Sequence, residues 1–263
     1  MEIKSIDIKN IMSGSQKGNH ENIQHIKSLP YLSVVQSVCG YYEIGLDGEI
    51  PRATEEGGAF VAPAGAMQNI THHNGAGGNM ESQWVFMKII INDLFDFQDF
   101  FDIPLLISAK YKEKLFGLIS TIRNSPNICQ KYAAAYDLTD ILIAHSSIKN
   151  TMFNNTAIFL KKHIEEHYSE KITIEDLANV AFCSIQNLYR IFQKNFQISP
   201  RNYINKIRLE KASVLLENSG RSVTEISEAV GFDDPAYFSK LFKKRYQLSP
   251  KKYRECTQFL KGQ

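Results

Sequence analysis

Phe192-Gln-Lys-Asn-Phe196-Gln-Ile-Ser199-Pro200-Arg-Asn-Tyr203 recurs fifty positions later as Phe242-Lys-Lys-Arg-Tyr246-Gln-Leu-Ser249-Pro250-Lys-Lys-Tyr253. Upstream, Leu177 matches Ile226 at an offset of 49, so the second copy carries one extra residue between its first two helices. An internal repeat of this kind marks a duplicated supersecondary unit. Each copy reads as a helix, a short turn and a second helix, over about 173–196 and 223–246.

In the first copy, Thr173 is placed to cap a helix over Ile174–Ala181, with Asp176 completing a capping box. Phe182-Cys-Ser184 is the turn into a second helix, Ile185–Phe196. Leu188, Ile191 and Phe192 face inward there, which leaves Gln186, Asn187, Tyr189, Arg190 and Gln193 outward. In the second copy, Thr224–Val230 is the first helix and Gly231-Phe-Asp-Asp234 the turn, with Gly231 supplying a positive φ. Pro235 suits the first position of the next helix, having no amide hydrogen to leave unsatisfied. Phe238, Leu241 and Phe242 point inward, and Ala236, Tyr237, Ser239, Lys240, Lys243 and Lys244 point out.

Between the copies, Pro200–Glu217 reads as one long helix with apolar positions at Tyr203, Ile204, Ile207, Val214 and Leu215. Its length is roughly 27 Å at about 1.5 Å per residue. Major grooves on one face of DNA repeat about every 34 Å, so such a connector can hold two recognition helices in adjacent grooves. Arg190 can donate to guanine, Gln186 can read adenine, and the lysines can meet phosphates. A single helix-turn-helix pattern also fits a plain helical bundle; two copies with matched Ser-Pro-x-x-Tyr tails favour DNA.

The charge distribution agrees. Residues 1–155 carry 12 Lys and Arg against 16 Asp and Glu, and residues 156–263 carry 18 against 12, so a net charge of +2 divides into −4 and +6. An acidic part joined to a basic one suggests two domains, expected at 1–150 and 156–256, the second able to meet a polyanion. With 43% hydrophobic and 22% charged residues the chain is globular, which excludes fibrous and wholly disordered readings. Cys39, Cys129, Cys183 and Cys256 form no C-x-x-C pair, which argues against a zinc knuckle and suits a reducing compartment. The N-terminus has no secretory pattern and no apolar run is long enough to span a bilayer, so a soluble cytoplasmic protein is expected.

Ahead of the repeat, the signals are those of short strands. Leu32–Cys39, Tyr41–Ile44, Gly58–Ala62 and Trp84–Ile91 are rich in β-branched and aromatic residues, with turn formers between them. They predict a β-sandwich or small barrel able to hold a small ligand. Leu115, Leu118, Ile119 and Ile122 then mark an amphipathic helix, and Leu138, Ile141, Leu142 and His145 a second. This pair is either core or a dimer surface. Ser146–Asn155 carries no period and reads as the linker.

The C-terminal residues resemble the DNA-binding domain of the AraC/XylS family of transcription regulators. The resemblance runs from about Thr156 to Glu255. It rests on Ile174-Glu-Asp-Leu-Ala178, Leu188-Tyr-Arg-Ile-Phe192, Ile207-Arg208-Leu209, Val223-Thr-Glu-Ile-Ser-Glu-Ala-Val-Gly-Phe232 and Tyr237-Phe-Ser-Lys-Leu-Phe-Lys243. It implies promoter binding by both motifs, the first giving more of the target's individuality, and RNA polymerase as a partner if the protein activates. One departure is Ala181-Phe182, where many members have a glycine near the turn.

The N-terminal half resembles, more loosely, the cupin-like sensor domains of such regulators, through Gly57–Gly65 and His72. That likeness implies a helical dimerisation region, a homodimer and a small-molecule effector, commonly a sugar. The expected fold is therefore α+β: a cupin-like barrel or sandwich with a helical dimerisation region, then an all-α domain with two helix-turn-helix motifs joined by a long helix.

Arg52, His72 and Trp84 are candidate ligand contacts: Arg52 and Trp84 are equally explicable by packing or exposure, and His72 is placed for a hydrogen bond to a ligand hydroxyl. A metal reading of His72 and His73, with Glu81 nearby, is disfavoured because neighbours in a strand point to opposite faces. Phe95, Phe97, Phe100 and Phe101 suit a short packed helix. No nucleophile motif, phosphate-binding glycine loop or spaced carboxylate pair stands out, so neither catalysis nor a cofactor is expected. The reading is a ligand-responsive, non-enzymatic transcription regulator; the alternatives are a metal-dependent cupin enzyme and a regulator with an empty sensor domain.

Overall fold

Alternation of apolar and polar side chains gives Tyr41–Leu46 and Met67–His73 one buried and one more open face, whereas Leu32–Cys39 and Ala59–Ala62 are buried along nearly their whole length. The computed structural model describes residues 3–149 and 155–261, with side chains to residue 255. Residues 150–154 of the expected linker, and the side chain of Cys256, lie outside the described residues. The chain divides between residues 150 and 151 into two compact units.

The N-terminal unit holds β1 (Ile6–Gly18), β2 (Gln24–Ser28), β3 (Leu32–Cys39), β4 (Tyr41–Leu46), β5 (Arg52–Ala53), β6 (Ala59–Ala62), β7 (Met67–His73), β8 (Met80–Ile91) and β9 (Phe95–Asp96). After them come α1 (Phe97–Phe100), β10 (Phe101–Asp102), β11 (Leu106–Ile107), α2 (Lys112–Asn124), α3 (Ile128–His145) and β12 (Ser147–Ile148). One sheet runs β1-β8-β3-β6-β11 with β9 beside β8, another runs β2-β7-β4-β5, and β10 pairs with β12. Val35, Phe60, Met80 and Phe86 from the larger sheet meet Tyr42, Ile44 and Ile70 from the smaller in one core. The layers are those of a sandwich; among the described residues no sheet closes into a barrel.

The strands at Leu32, Tyr41 and Ala59 stand where the sequence places them, whereas β8 begins four residues before Trp84. β1 and β2 go unseen in the sequence. The 13-residue β1 is largely polar and broken by a register shift between Lys9 and Met12, with Asn10 at φ +53°. What makes it a strand is its long pairing with β8, a contact no local pattern records.

The helical pair packs as its period requires. Leu115, Ile119 and Ile122 of α2 and Leu138, Ile141 and Leu142 of α3 are buried. Gln36 and Gln83 hold α2 to the larger sheet: Gln36 Nε2 donates to the Lys112 carbonyl at 3.0 Å, and Gln83 Nε2 to Gln36 Oε1 at 2.8 Å. Phe95, Phe97, Phe100 and Phe101 are buried around α1.

The second unit is helical: α4 (Asn155–His167), α5 (Ile174–Val180), α6 (Ile185–Phe196), α7 (Pro200–Asn218), α8 (Val223–Ala229), α9 (Pro235–Tyr246) and α10 (Pro250–Lys261). It has two cores. Leu160 and Ile164 of α4 join Leu177, Leu188, Phe192, Tyr203, Ile204 and Ile207 in the first. Leu209, Ala212 and Leu216 join Ile226, Phe238, Phe242, Tyr246 and Tyr253 in the second.

Of the apolar positions read from the sequence on α7, Tyr203, Ile204 and Ile207 are buried in the first core, whereas Val214 and Leu215 are only half-buried. At about 100° per residue, the two buried sets lie on roughly opposite faces of α7. One helix therefore serves two cores, and no single period describes it. Arg208 sits between them. Its Nε donates to the Tyr168 carbonyl and its Nη2 to the Glu170 carbonyl, both at 2.8 Å, and its guanidinium lies 5.6 Å from the Phe232 ring centre.

Candidate nucleic-acid interface

Both helix-turn-helix units are closed by the same local chemistry. Thr173 caps α5 with Asp176 completing the box, and Ser222 caps α8 with Glu225, so α8 starts one residue earlier than the sequence suggests. These capping hydrogen bonds hold the Asp176 and Glu225 carboxyls below their ordinary pKa.

The turns superpose bond for bond. Cys183 N–H donates to the Ala178 carbonyl and Phe182 N–H to Asn179; Phe232 N–H donates to Ser227 and Gly231 N–H to Glu228. The glycine departure noted in the sequence thus leaves the turn unchanged: Phe182 takes φ +49° where Gly231 takes +89°. At Gly231 a Cβ would lie 2.8–3.0 Å from backbone atoms of Tyr168 and Ser169, so only glycine fits there.

Ser184 and Asp234 then cap α6 and α9, and both helices end in a left-handed glutamine, Gln197 and Gln247. On α6, Gln186, Tyr189, Arg190 and Gln193 are exposed. Asn187 is half-buried and its Oδ1 accepts from Arg190 Nη2 at 2.9 Å. On α9, Ala236, Tyr237, Lys240, Lys243 and Lys244 are exposed and Ser239 is half-buried.

Sequence reading missed two groups. The cleft between the motifs, of about 730 Å³, is of mixed charge, with Lys171, Arg201 and Arg208 lining it together with Glu228, Asp233 and Asp234; Lys171 and Arg201 belong to neither outward set read from the sequence. Phe182 and Ile185 are exposed apolar residues at the start of α6. The offset of 49 from Gly231 was the available clue to Phe182.

In the N-terminal unit, the strand register gathers polar groups on the inner face of the smaller sheet. Lys27 faces Gln68, His25 faces Ile70, and Tyr42 faces His72. The His72 ring lies 4.8 Å from that of Tyr42 and 4.9 Å from His25. Burial foremost, then the nearby His25, His20 and Lys27, pushes His72 down to about 4. Burial also lowers Lys27 to about 8 and raises Tyr42 to about 12. Gln68 is fully buried, yet neither side-chain polar atom has a hydrogen-bond partner among the described residues, and His72 Nδ1 has none either.

Trp84 stacks on Phe86 at 4.4 Å and Lys27 Nζ lies 5.8 Å from that ring. The indole lies over Gly14, where a Cβ would come within 2.3 Å of it. His72 and Trp84 therefore belong to this inner region, whereas Arg52 is exposed on the edge strand β5. His73 faces the other way, against Tyr41 and near Glu21 and Glu43, and Glu81 pairs with Lys17. Among the described residues, no group of three or more His, Cys, Asp or Glu is placed to hold a metal, and no helix is long and apolar enough to cross a membrane.

Residues 177–255 match the family described as "Helix-turn-helix domain". The HTH-type transcriptional activator RhaS of Enterobacter sp. (strain 638) is 33% identical over 117 residues, 44% of this chain and 42% of that protein. The lactose operon transcription activator of Staphylococcus xylosus is 32% identical over 123 residues, 47% of this chain and 44% of that protein. The matches to these curated relatives thus span less than half their length. Among solved structures, ToxT from Vibrio cholerae aligns over 94% of this chain and 98% of its own with a TM-score of 0.61 at 11% identity, a likeness of fold. A ToxT structure with bound unsaturated fatty acid aligns over 97% and 96%, with a TM-score of 0.59 at 12% identity.

Proposed function

From the AraC/XylS-type helix-turn-helix domain that the C-terminal helices form, we propose that this protein is a sequence-specific transcription regulator controlled by a small molecule bound in its N-terminal sandwich. The observation that carries the reading is the duplicated motif: two matched turns, two exposed recognition faces and one helix shared by both cores. α7 has 19 residues, about 28 Å at the helical rise, which suits recognition helices in adjacent major grooves of promoter DNA.

Gln186, Tyr189, Arg190 and Gln193 face bases in one groove, with Asn187 orienting Arg190. Ala236, Tyr237, Ser239 and Lys240 face the other, and Lys243 and Lys244 meet phosphates. The effector sits among Lys27, Gln68, His72 and Trp84, where unpaired buried polar atoms favour a ligand with hydrogen-bond acceptors. A sugar and an aliphatic carboxylic acid, the class bound in one ToxT structure, both offer these.

The N-terminal unit corresponds to the cupin-like sensor, and α2 and α3, with Phe116, Ile128 and Tyr136 exposed, supply the homodimer surface. The protein acts without catalysis or cofactor, in the cytoplasm, with RNA polymerase as its partner where it activates.

Selection of bound duplexes from a random pool by the purified chain tests the first part. A recurring site with two blocks one helical turn apart is expected, and equal affinity for selected and random DNA would overturn it. Residues 155–263 alone should bind the same site. Melting of the full chain with panels of sugars and carboxylic acids tests the second part: one panel should raise the transition, an effect that His72→Phe weakens. Stoichiometric iron, manganese or zinc in the purified protein would instead favour a metal-dependent enzyme.

A further inference from the structure

The recognition face of α6 is not uniform. At about 100° per residue, Gln186, Arg190 and Gln193 follow one edge, while Ile185 and Tyr189 follow the other. Both members of the second edge are open to solvent, Ile185 by 42% and Tyr189 by 44%. Phe182, in the turn three residues before Ile185, stands ahead of that edge and is 98% exposed.

Phe182 is costly where it stands. Its φ of +49° is in the left-handed region, which penalises a residue with a Cβ by about 1–2 kcal/mol. Its ring joins neither core of the unit, and the matching position in the second motif is glycine. The fold therefore gains nothing from an aromatic side chain at this position.

We propose that Phe182, Ile185 and Tyr189 form an apolar reading edge that recognises thymine 5-methyl groups in the half-site of the first motif. This rests on the DNA-binding reading of α6. Ile185 and Tyr189 stand next to Gln186 and Arg190 in the N-terminal half of α6, the end of the helix that enters the groove. The thymine methyl is the apolar feature of the major-groove base edges. Three side chains at one helix end are too few for a stable protein interface, which needs about 800 Å² from each partner. The first motif thus divides its labour: one edge reads hydrogen-bond donors and acceptors, the other reads methyl groups. The second motif, with Gly231 in its turn, lacks the apolar extension.

The test uses the full chain and a duplex selected from a random pool. The half-site of the first motif is located as the position whose base preference relaxes in Arg190→Ala. Each thymine is then replaced singly by deoxyuridine, which removes only the methyl group. A 3- to 10-fold loss of affinity is expected at one or two thymines in that half-site. Phe182→Gly and Ile185→Ser should bring the thymine-to-uracil ratio there close to one and leave it unchanged in the other half-site.

Phe182→Gly keeps the turn because its backbone angle suits glycine, so a fold defect does not confuse the outcome. Equal binding of thymine and deoxyuridine by the wild type overturns the proposal, as do variants that retain the ratio. Variants that bind normally but fail to activate transcription would also overturn it, assigning the patch to RNA polymerase. Failure to select any duplex would remove the DNA-binding reading itself.

Discussion

Arg190 is tethered before any DNA arrives. Its Nη2 hydrogen-bonds to Asn187 Oδ1, one helical turn back, which limits the rotamers an arginine must otherwise lose on binding. Asn187 was legible as an outward residue, yet its half-burial makes it the residue that aims Arg190. That distinction depends on side-chain packing, which helical period alone does not report. Arg190→Ala should weaken specific binding by about 1–3 kcal/mol and relax preference at one base pair. Lys244→Ala should weaken all sequences alike and reduce the salt dependence by about one phosphate contact. Titrations on selected and random duplexes at several salt concentrations separate the two; equal loss on both DNAs for Arg190→Ala would reduce it to a positioning contact.

The elements that carry the interface were the most legible part of the chain. Capping residues, a proline at the first position of α9 and the inward sets at Leu188, Ile191 and Phe192, and at Phe238 and Phe242, all act within one or two turns. The turn of the first motif was less so, because Ala181-Phe182 hides a left-handed residue behind a side chain that disfavours it. The two turns should consequently respond in opposite ways. Gly231→Ala adds a Cβ against the Tyr168 and Ser169 backbone at a φ of +89°, and should cost about 2 kcal/mol or more. Phe182→Gly should leave stability unchanged or raise it by up to about 1 kcal/mol. Urea unfolding of the C-terminal unit reads both.

At the scale of the molecule, the two units answer differently to acid. His72 is held near 4 in the folded sandwich against 6.5 when unfolded, so the unfolded chain binds more protons between those values. The His72 contribution is whole above about pH 6.5 and is lost as pH falls toward 4, on the order of 2 kcal/mol. In the C-terminal unit the groups held low are the Asp176 and Glu225 carboxyls, kept below the ordinary carboxylate range by their capping hydrogen bonds, so that unit should hold until more acid pH. Melting curves from pH 7 to pH 4 should show the N-terminal transition falling first, and His72→Phe should flatten its slope over that range. An unchanged slope in the variant would place the acid sensitivity elsewhere.

Helix period, capping and turn chemistry act over neighbouring positions, so the duplicated helix-turn-helix, the Thr173 cap with Asp176 and the outward residues could be read from the sequence. The sequence also separated an acidic strand-rich part from a basic helical one. That β1 is a strand, that the sheets remain a sandwich and that α7 buries opposite faces in two cores follow from long-range packing, visible only in the fold. The fold also brought Lys27, Gln68 and His72 together: Lys27 and its cross-strand neighbour Gln68 lie 41 positions apart, and Tyr42 and His72 lie 30 apart. Long-range pairing sets those contacts, and a one-residue change of register would turn the same side chains to the other face.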